Sequence, residues 1–194
     1  MTQNLSAARK AMIDSQLRTS GVNEEFVLAR MATVAREDYV PEGAKAMAYM
    51  DRAIPLGEGR FLSSPLVHGR MLAEAAPNPA DRVLVVEGGA SYLADLTRPL
   101  VAQLDRVSAA DAAGANRKRK TYSLILVDGA IEELPESLAK QLDEGGRIVT
   151  GLVLRGVTRL AVGRKVAGNV SLQPLAEIGI PVLHQFDKPK AWSF

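Results

Sequence analysis

The stretch VLVVEGGASYL, residues 83–93, is a run of branched apolar residues that ends at two glycines. A short continuous apolar run bounded by a turn signal reads as a buried parallel strand. A strand that passes through a glycine turn into a helix is how many nucleotide-type cofactor sites begin. The strand is expected over 82–88 and the helix over 91–104, with Pro99 kinking or dividing the helix. Glu87 and Ser91 stand where such a turn would most want glycine, whose missing side chain lets backbone approach a ligand.

Outward from this stretch the order stays strand, helix, strand, as in an α/β fold. RVSAAD (106–111) is a short second strand candidate, and YSLILVDGA (122–130), with its continuous apolar run LILV, is the clearest strand in the sequence, as a central parallel strand should be. PESLAKQL forms a short helix after Pro135, EGGRIVTGLVL a turn and another buried strand. The last segment alternates around AGN, which suits an antiparallel hairpin. Upstream, NLSAARKAMIDSQLRTSG reads as a helix stopping at Gly21, and a second helix follows from Asn23 to the REDYVP segment. Residues 49–65 read as an ordered loop with one short strand, after which Ser63 or Ser64 caps a helix that Pro65 begins and Pro77 and Pro79 forbid beyond. One domain over 1–194 is expected, with an N-terminal helical segment (1–48) and an α/β core (80–194).

Composition excludes more than it assigns. With 24 Lys and Arg against 22 Asp and Glu, the net charge of +2 gives no nucleic-acid-binding character to the whole surface. The absence of cysteine removes disulfides and thiolate metal ligands, no apolar stretch has the length of a membrane span, and a cytoplasmic location is the simplest reading.

Several blocks together carry a family likeness: AYMDRAIPLGEGRFLSSP, MIDSQLRTSGV, VAREDYVP, VDGAIEELPESLAKQLDEGGRIV and the closing hairpin. In this order they resemble the protein-L-isoaspartate O-methyltransferases, which have the class I S-adenosylmethionine-dependent methyltransferase fold. The resemblance implies a mostly parallel Rossmann-like sheet with a C-terminal antiparallel hairpin and N-terminal helices. It also implies S-adenosylmethionine as cofactor, and methyl transfer to the carboxylate of an isoaspartyl residue in damaged protein or peptide, which starts repair. Positioning is the main task of such an enzyme, since the methyl donor is already electrophilic and neither metal nor thiol nucleophile is required. By resemblance Ser63 lies between cofactor and acceptor and donates a hydrogen bond to the acceptor carboxylate. The local alternative is that it caps the following helix. Gly89 would admit the cofactor, and Asp111 would take the ribose hydroxyls unless it is a surface aspartate in a loop. Asp128, at a strand end, would be cofactor-side or substrate-side, or only a helix cap.

The match departs from the family in two places. In the turn, Val85 stands at an acidic position, Glu87 at the first glycine and Ser91 at the third, so that only Gly89 is kept. The Glu87 charge would repel a donor carboxylate in a low-dielectric cleft, unless it turns outward or binds the donor's amino group. In the middle, Ala112 to Thr121 replace a helix, a strand and a loop. Ten extended residues reach roughly 36 Å, enough to join two strand ends but not to build those elements. About one helix and one strand are therefore expected to be lacking, and the second strand becomes an exposed edge that invites a homodimer. A catalytically inactive methyltransferase-fold protein with a binding or assembly role is the alternative reading. NRKRK (116–120) reads as a solvated loop, His68 and His184 as structural residues with no metal site implied, and Trp192 as packing.

Overall fold

The computed structural model describes residues 4–114 and 120–188, so most of NRKRK, and Trp192, lie outside the described residues. Helix α1 (Leu5–Met12) is capped by the Asn4 side chain and continues through an irregular turn to Gly21, which takes the left-handed conformation at φ 83°. The stop expected at Gly21 is thus present. Helix α2 (Glu25–Thr33) follows, and Arg36–Tyr39 forms a short 3-10 turn.

Residues 49–65 hold more structure than the single strand expected. β1 (Ile54–Gly57) and β2 (Arg60–Leu62) pair as an antiparallel hairpin. The reversal is made by Gly57, Glu58 and Gly59, all at positive φ, and two glycines are what make so tight a turn accessible. Helix α3 (Pro65–Ala75) begins with Pro65 in its first turn and Ser64 as N-cap, whose hydroxyl accepts from the Val67 amide. Ser64 does the capping, and Ser63 is left for another purpose.

β3 (Arg82–Glu87) is the strand expected from the opening stretch. The helix after it is shorter than expected: α4 (Tyr92–Thr97) passes into a 3-10 turn, Arg98–Leu100, that contains Pro99, and β4 (Gln103–Ser108) already begins at residue 103. β4 ends before Asp111. The segment expected as strand to 111 becomes α5 (Ala109–Ala113), because Ser108 caps it and alanine favours helix. The rest of the chain is β5 (Tyr122–Ile131), α6 (Glu136–Gln141), β6 (Leu142–Leu154), β7 (Val157–Val166) and β8 (Asn169–Glu177).

The strands form one six-stranded sheet in the order β4-β3-β5-β6-β7-β8. β4, β3, β5 and β6 run parallel, and β7 and β8 add antiparallel neighbours, the last pair being the hairpin expected around AGN. β4 stands at the free edge, as the shortened middle implied. The alternation of side chains separates two faces. Val83, Val85, Leu124 and Leu126 pack against Val67, Met71 and Ala75 of α3 and Leu93 and Ala94 of α4. Leu84, Val86, Ile125 and Val127 face Ala109 and Ala112 of α5, Leu138 of α6 and Phe186. The N-terminal helices form an outer layer, with Met12, Leu17, Val27 and Met31 packed against Leu72, Tyr92 and Leu96.

Candidate functional site

The carboxyl ends of β3 and β5 meet the amino end of α3. On β5 the alternation that sends Leu124 and Leu126 to the α3 face sends Asp128 there too. The pairing with β6 slips between Leu126 and Ala130, which face Val149 and Gly151, so β5 bulges at Asp128. On α3, His68 lies on the inward face with Val67, Met71 and Ala75 and is fully buried. His68 Nε2 lies 3.1 Å from both carboxylate oxygens of Asp128, and Ser63 Oγ donates to Asp128 Oδ1 at 2.8 Å.

Arg36 completes the cluster from the outer layer. Its guanidinium is fully buried, donates to the carbonyl of Ala48 at 2.7 Å and to the carbonyl of Ser63, and lies 3.0 Å from His68 Nδ1. An arginine can only donate, so His68 Nδ1 accepts, and the proton of the ring sits on Nε2, facing Asp128. The guanidinium also stacks over the Tyr92 ring at 5.1 Å. Burial pushes the Arg36 guanidinium down to about 10, which leaves it charged at neutral pH. Burial alone would raise the Asp128 carboxyl, but His68, Ser63 and Arg36 hold it below the ordinary value. The cluster therefore carries one buried cation and one buried anion, joined through hydrogen bonds. It is not a nucleophile paired with a base: the Ser63 hydroxyl bonds the aspartate and not the histidine, and both ring nitrogens are engaged.

Of the residues singled out in the sequence, Ser63 and Asp128 are brought into direct contact. Gly89 joins them from the turn after β3: a Cβ built there would lie 2.9 Å from the backbone nitrogen and carbon of Phe61, two residues before Ser63. Asp111 is not in this cluster. It occupies the first turn of α5 in a reciprocal cap, its amide donating to Ser108 Oγ at 3.1 Å and its carboxylate accepting from Ser108 Oγ at 2.7 Å. The residue at the carboxyl end of β4 is Ser108, in register with Glu87. Glu87 is ion-paired across the strands with Arg106 at 3.3 Å. Desolvation, reinforced by Asp128 and Asp95 against the pull of Arg106, raises its carboxyl above the ordinary value.

An open sheet whose parallel strands run into an antiparallel hairpin, with a glycine turn and polar groups at the carboxyl ends of its central strands, defines the Rossmann-like methyltransferase class. The family model of protein-L-isoaspartate(D-aspartate) O-methyltransferase matches residues 7–112 and 103–182. The two pieces overlap on residues 103–112, which hold β4 and most of α5, just before the shortened middle. The chain belongs to this family. Protein-L-isoaspartate O-methyltransferases from Koribacter versatilis, 33% identical with 84% of each chain covered, and Methanoculleus marisnigri, 31% identical with 92% of each covered, are similar to it. In fold it is similar to a putative protein-L-isoaspartate O-methyltransferase from Plasmodium falciparum solved with S-adenosyl-L-homocysteine, with a TM-score of 0.75 at 18% identity over 91% of this chain and 98% of that one.

The family's cofactor is S-adenosylmethionine, and the glycine turn of this chain does not fit it as folded here. The second glycine of such turns normally gives a ligand room for close approach. At Gly89 that room is filled by the Phe61 backbone, and a Cβ on Gly88 would overlap the carbonyl of Asp128. Both glycines serve the packing of the chain on itself, and the Glu87 carboxylate adds bulk and charge beside them.

Sequence reasoning did not single out Arg36, and it read His68 as a structural residue within a helix, where the structure has it, without its link to Asp128. The sign for Arg36 was its place between Val34, Ala35 and the apolar end of its segment. His68 could have been placed by its spacing from Met71, Leu72 and Ala75, which puts it on the buried side of α3.

Proposed function

We propose that the chain is an S-adenosylmethionine-dependent carboxyl methyltransferase of the protein-L-isoaspartate repair type with a reduced cofactor site, acting on isoaspartyl residues of damaged protein or peptide. The observation that carries this reading is membership of the family over most of the chain, on a sheet whose carboxyl ends gather Ser63, Gly89 and Asp128. The acceptor carboxylate is itself the nucleophile, so the task of the protein is to orient it and to keep water out. Arg36 balances the charge of Asp128, so this cluster does not by itself repel an arriving carboxylate. In the present conformation the Ser63 proton is given to Asp128, and its use on an acceptor requires that bond to open. A cytoplasmic location goes with this reading. A second copy joined along the free edge of β4 is proposed as well.

Incubation with S-adenosylmethionine and a synthetic isoaspartyl peptide tests the activity. Mass spectrometry should find a methyl ester on that peptide and none on its aspartyl counterpart. An unmodified isoaspartyl peptide at every enzyme concentration would leave the noncatalytic reading in its place.

A further inference from the structure

We propose that Asp128–Gly129 is a modification site of this chain, a dipeptide able to rearrange to an isoaspartyl linkage, and that Ser63, His68 and Arg36 keep it in the aspartyl form. The inference goes beyond the methyltransferase reading and does not depend on binding of a methyl donor. In the rearrangement the amide nitrogen of Gly129 attacks Asp128 Cγ, and the carboxyl oxygen leaves as water with the amide proton, closing a five-membered imide. Water then opens the imide at the main-chain carbonyl, so that the chain runs on through Cγ and the α-carboxylate becomes the side group. A following glycine favours the first step, because no side chain shields the nitrogen and the backbone turns easily. Among all the aspartates and asparagines of the sequence, Asp128 alone is followed by glycine.

Three observations carry the proposal. The dipeptide lies outside the registered ladders of β5: pairing with β3 ends at Val127, and pairing with β6 breaks off after Leu126 and resumes at Ala130. What restrains it is therefore chiefly the side chain. His68 Nε2 lies 3.1 Å from both carboxylate oxygens, and Ser63 Oγ donates to Oδ1 at 2.8 Å. Against burial, which raises the Asp128 carboxyl, His68, Ser63 and Arg36 hold it ionised, and a carboxylate gives up an oxygen far less readily than the neutral acid. Finally, the fold needs both residues. Asp128 offsets the buried Arg36 guanidinium, and a Cβ on Gly129 would lie 2.4 Å from Leu183 Cγ. The reactive pair is kept and shielded. Conversion would add a carbon to the main chain of β5 and take the carboxylate from its donors, leaving a buried cation without its counter-charge.

Conversion in the folded chain requires the cluster to open locally, and loss of a hydrogen bond to a charged group raises the open population about tenfold or more. The full chain is kept in warm neutral buffer, sampled over weeks and digested with trypsin. Asp128 is the one aspartate of the fragment 121–140. Its isoaspartyl form has the same mass, a different retention time, and resistance to an endoproteinase that cuts before aspartyl residues. The native chain unfolded in guanidinium chloride should convert readily, and the folded native chain at least about tenfold more slowly. Folded Ser63→Ala should convert about tenfold or more faster than the native chain. Leu138→Ala, which weakens the core from α6 and removes no bond of the cluster, should stay near the native rate. An unfolded chain that does not convert overturns the site. Equal rates for the folded and unfolded native chain, or Ser63→Ala no faster than native, overturn the protection. Leu138→Ala converting as fast as Ser63→Ala would assign the protection to overall stability and overturn the role of the cluster. All these readings stand whether or not the chain transfers a methyl group.

Discussion

Replacing Asp128 by asparagine tests the buried cluster with little change in shape. The carboxylate accepts from Ser63 Oγ at 2.8 Å and from His68 Nε2 at 3.1 Å, and it is the anion that offsets the buried Arg36 guanidinium. In Asp128→Asn the amide oxygen can still face His68, and its NH2 can donate to Ser63, whose hydroxyl rotates to accept. No donor is forced against another donor. What is lost is the charge-assisted part of two bonds and the partner of a buried cation, which together cost about 3 kcal/mol. For a chain of this size that corresponds to a fall in Tm of about 6–12 °C. Urea unfolding followed by circular dichroism would measure it. The folded-state pKa of Asp128 is depressed below its ordinary value of 3.8. Its contribution is therefore complete above that value and fades as pH falls through the folded one, so the gap between native and variant should be full at neutral pH and close in strong acid. A loss under about 1 kcal/mol, or a gap that does not change with pH, would refute the account of Asp128 as a buried anion held by two donors and the charge of Arg36.

Three other outcomes follow from the same geometry. Glu87 has its carboxyl raised by desolvation, so ionising it costs the folded state as pH rises through its folded value, and Glu87→Gln should raise the urea midpoint at neutral pH but not in acid. A lower midpoint for Glu87→Gln at neutral pH would mean that its pair with Arg106 outweighs desolvation. Gly88→Ala should lower stability by about 1–3 kcal/mol or more, because the new methyl meets the Asp128 carbonyl and not open solvent, and an unchanged melting temperature would show that the turn is looser than described. Light scattering should report a dimer if the β4 edges pair, and a monomer at all concentrations would contradict that pairing.

Much of the sheet was legible because buried parallel strands announce themselves. Residues 83–86 and 124–127 are apolar without interruption, and the ten residues between Asp111 and Tyr122 are too few for a further helix and strand, which places β4 at the edge. Boundaries were harder where local chemistry competes with strand propensity. The reciprocal cap between Ser108 and Asp111 turns the end of RVSAAD into helix, and Pro99 cuts α4 to half of what was expected. The candidate site was legible in its members and not in their contacts. Ser63 and Asp128 were both singled out, but their hydrogen bond spans 65 positions. His68 was passed over because its carboxylate lies 60 positions away, and nearby sequence could not show it. Alternation along β5 and helical spacing along α3 contain the facing of these two residues, whereas the bulge that sets their distance depends on how β5 and β6 pair.

The turn after β3 is where the proposed methyltransferase would hold its methyl donor. Nuclear magnetic resonance of the nitrogen-labelled protein, titrated with S-adenosylhomocysteine, tests this directly. The amide signals of Gly88, Gly89, Ala90 and Ser91 should move together with those of Phe61 and Ser63. Signals that stay fixed there while others shift at the far end of the sheet, or a spectrum unchanged at saturating ligand, would contradict it.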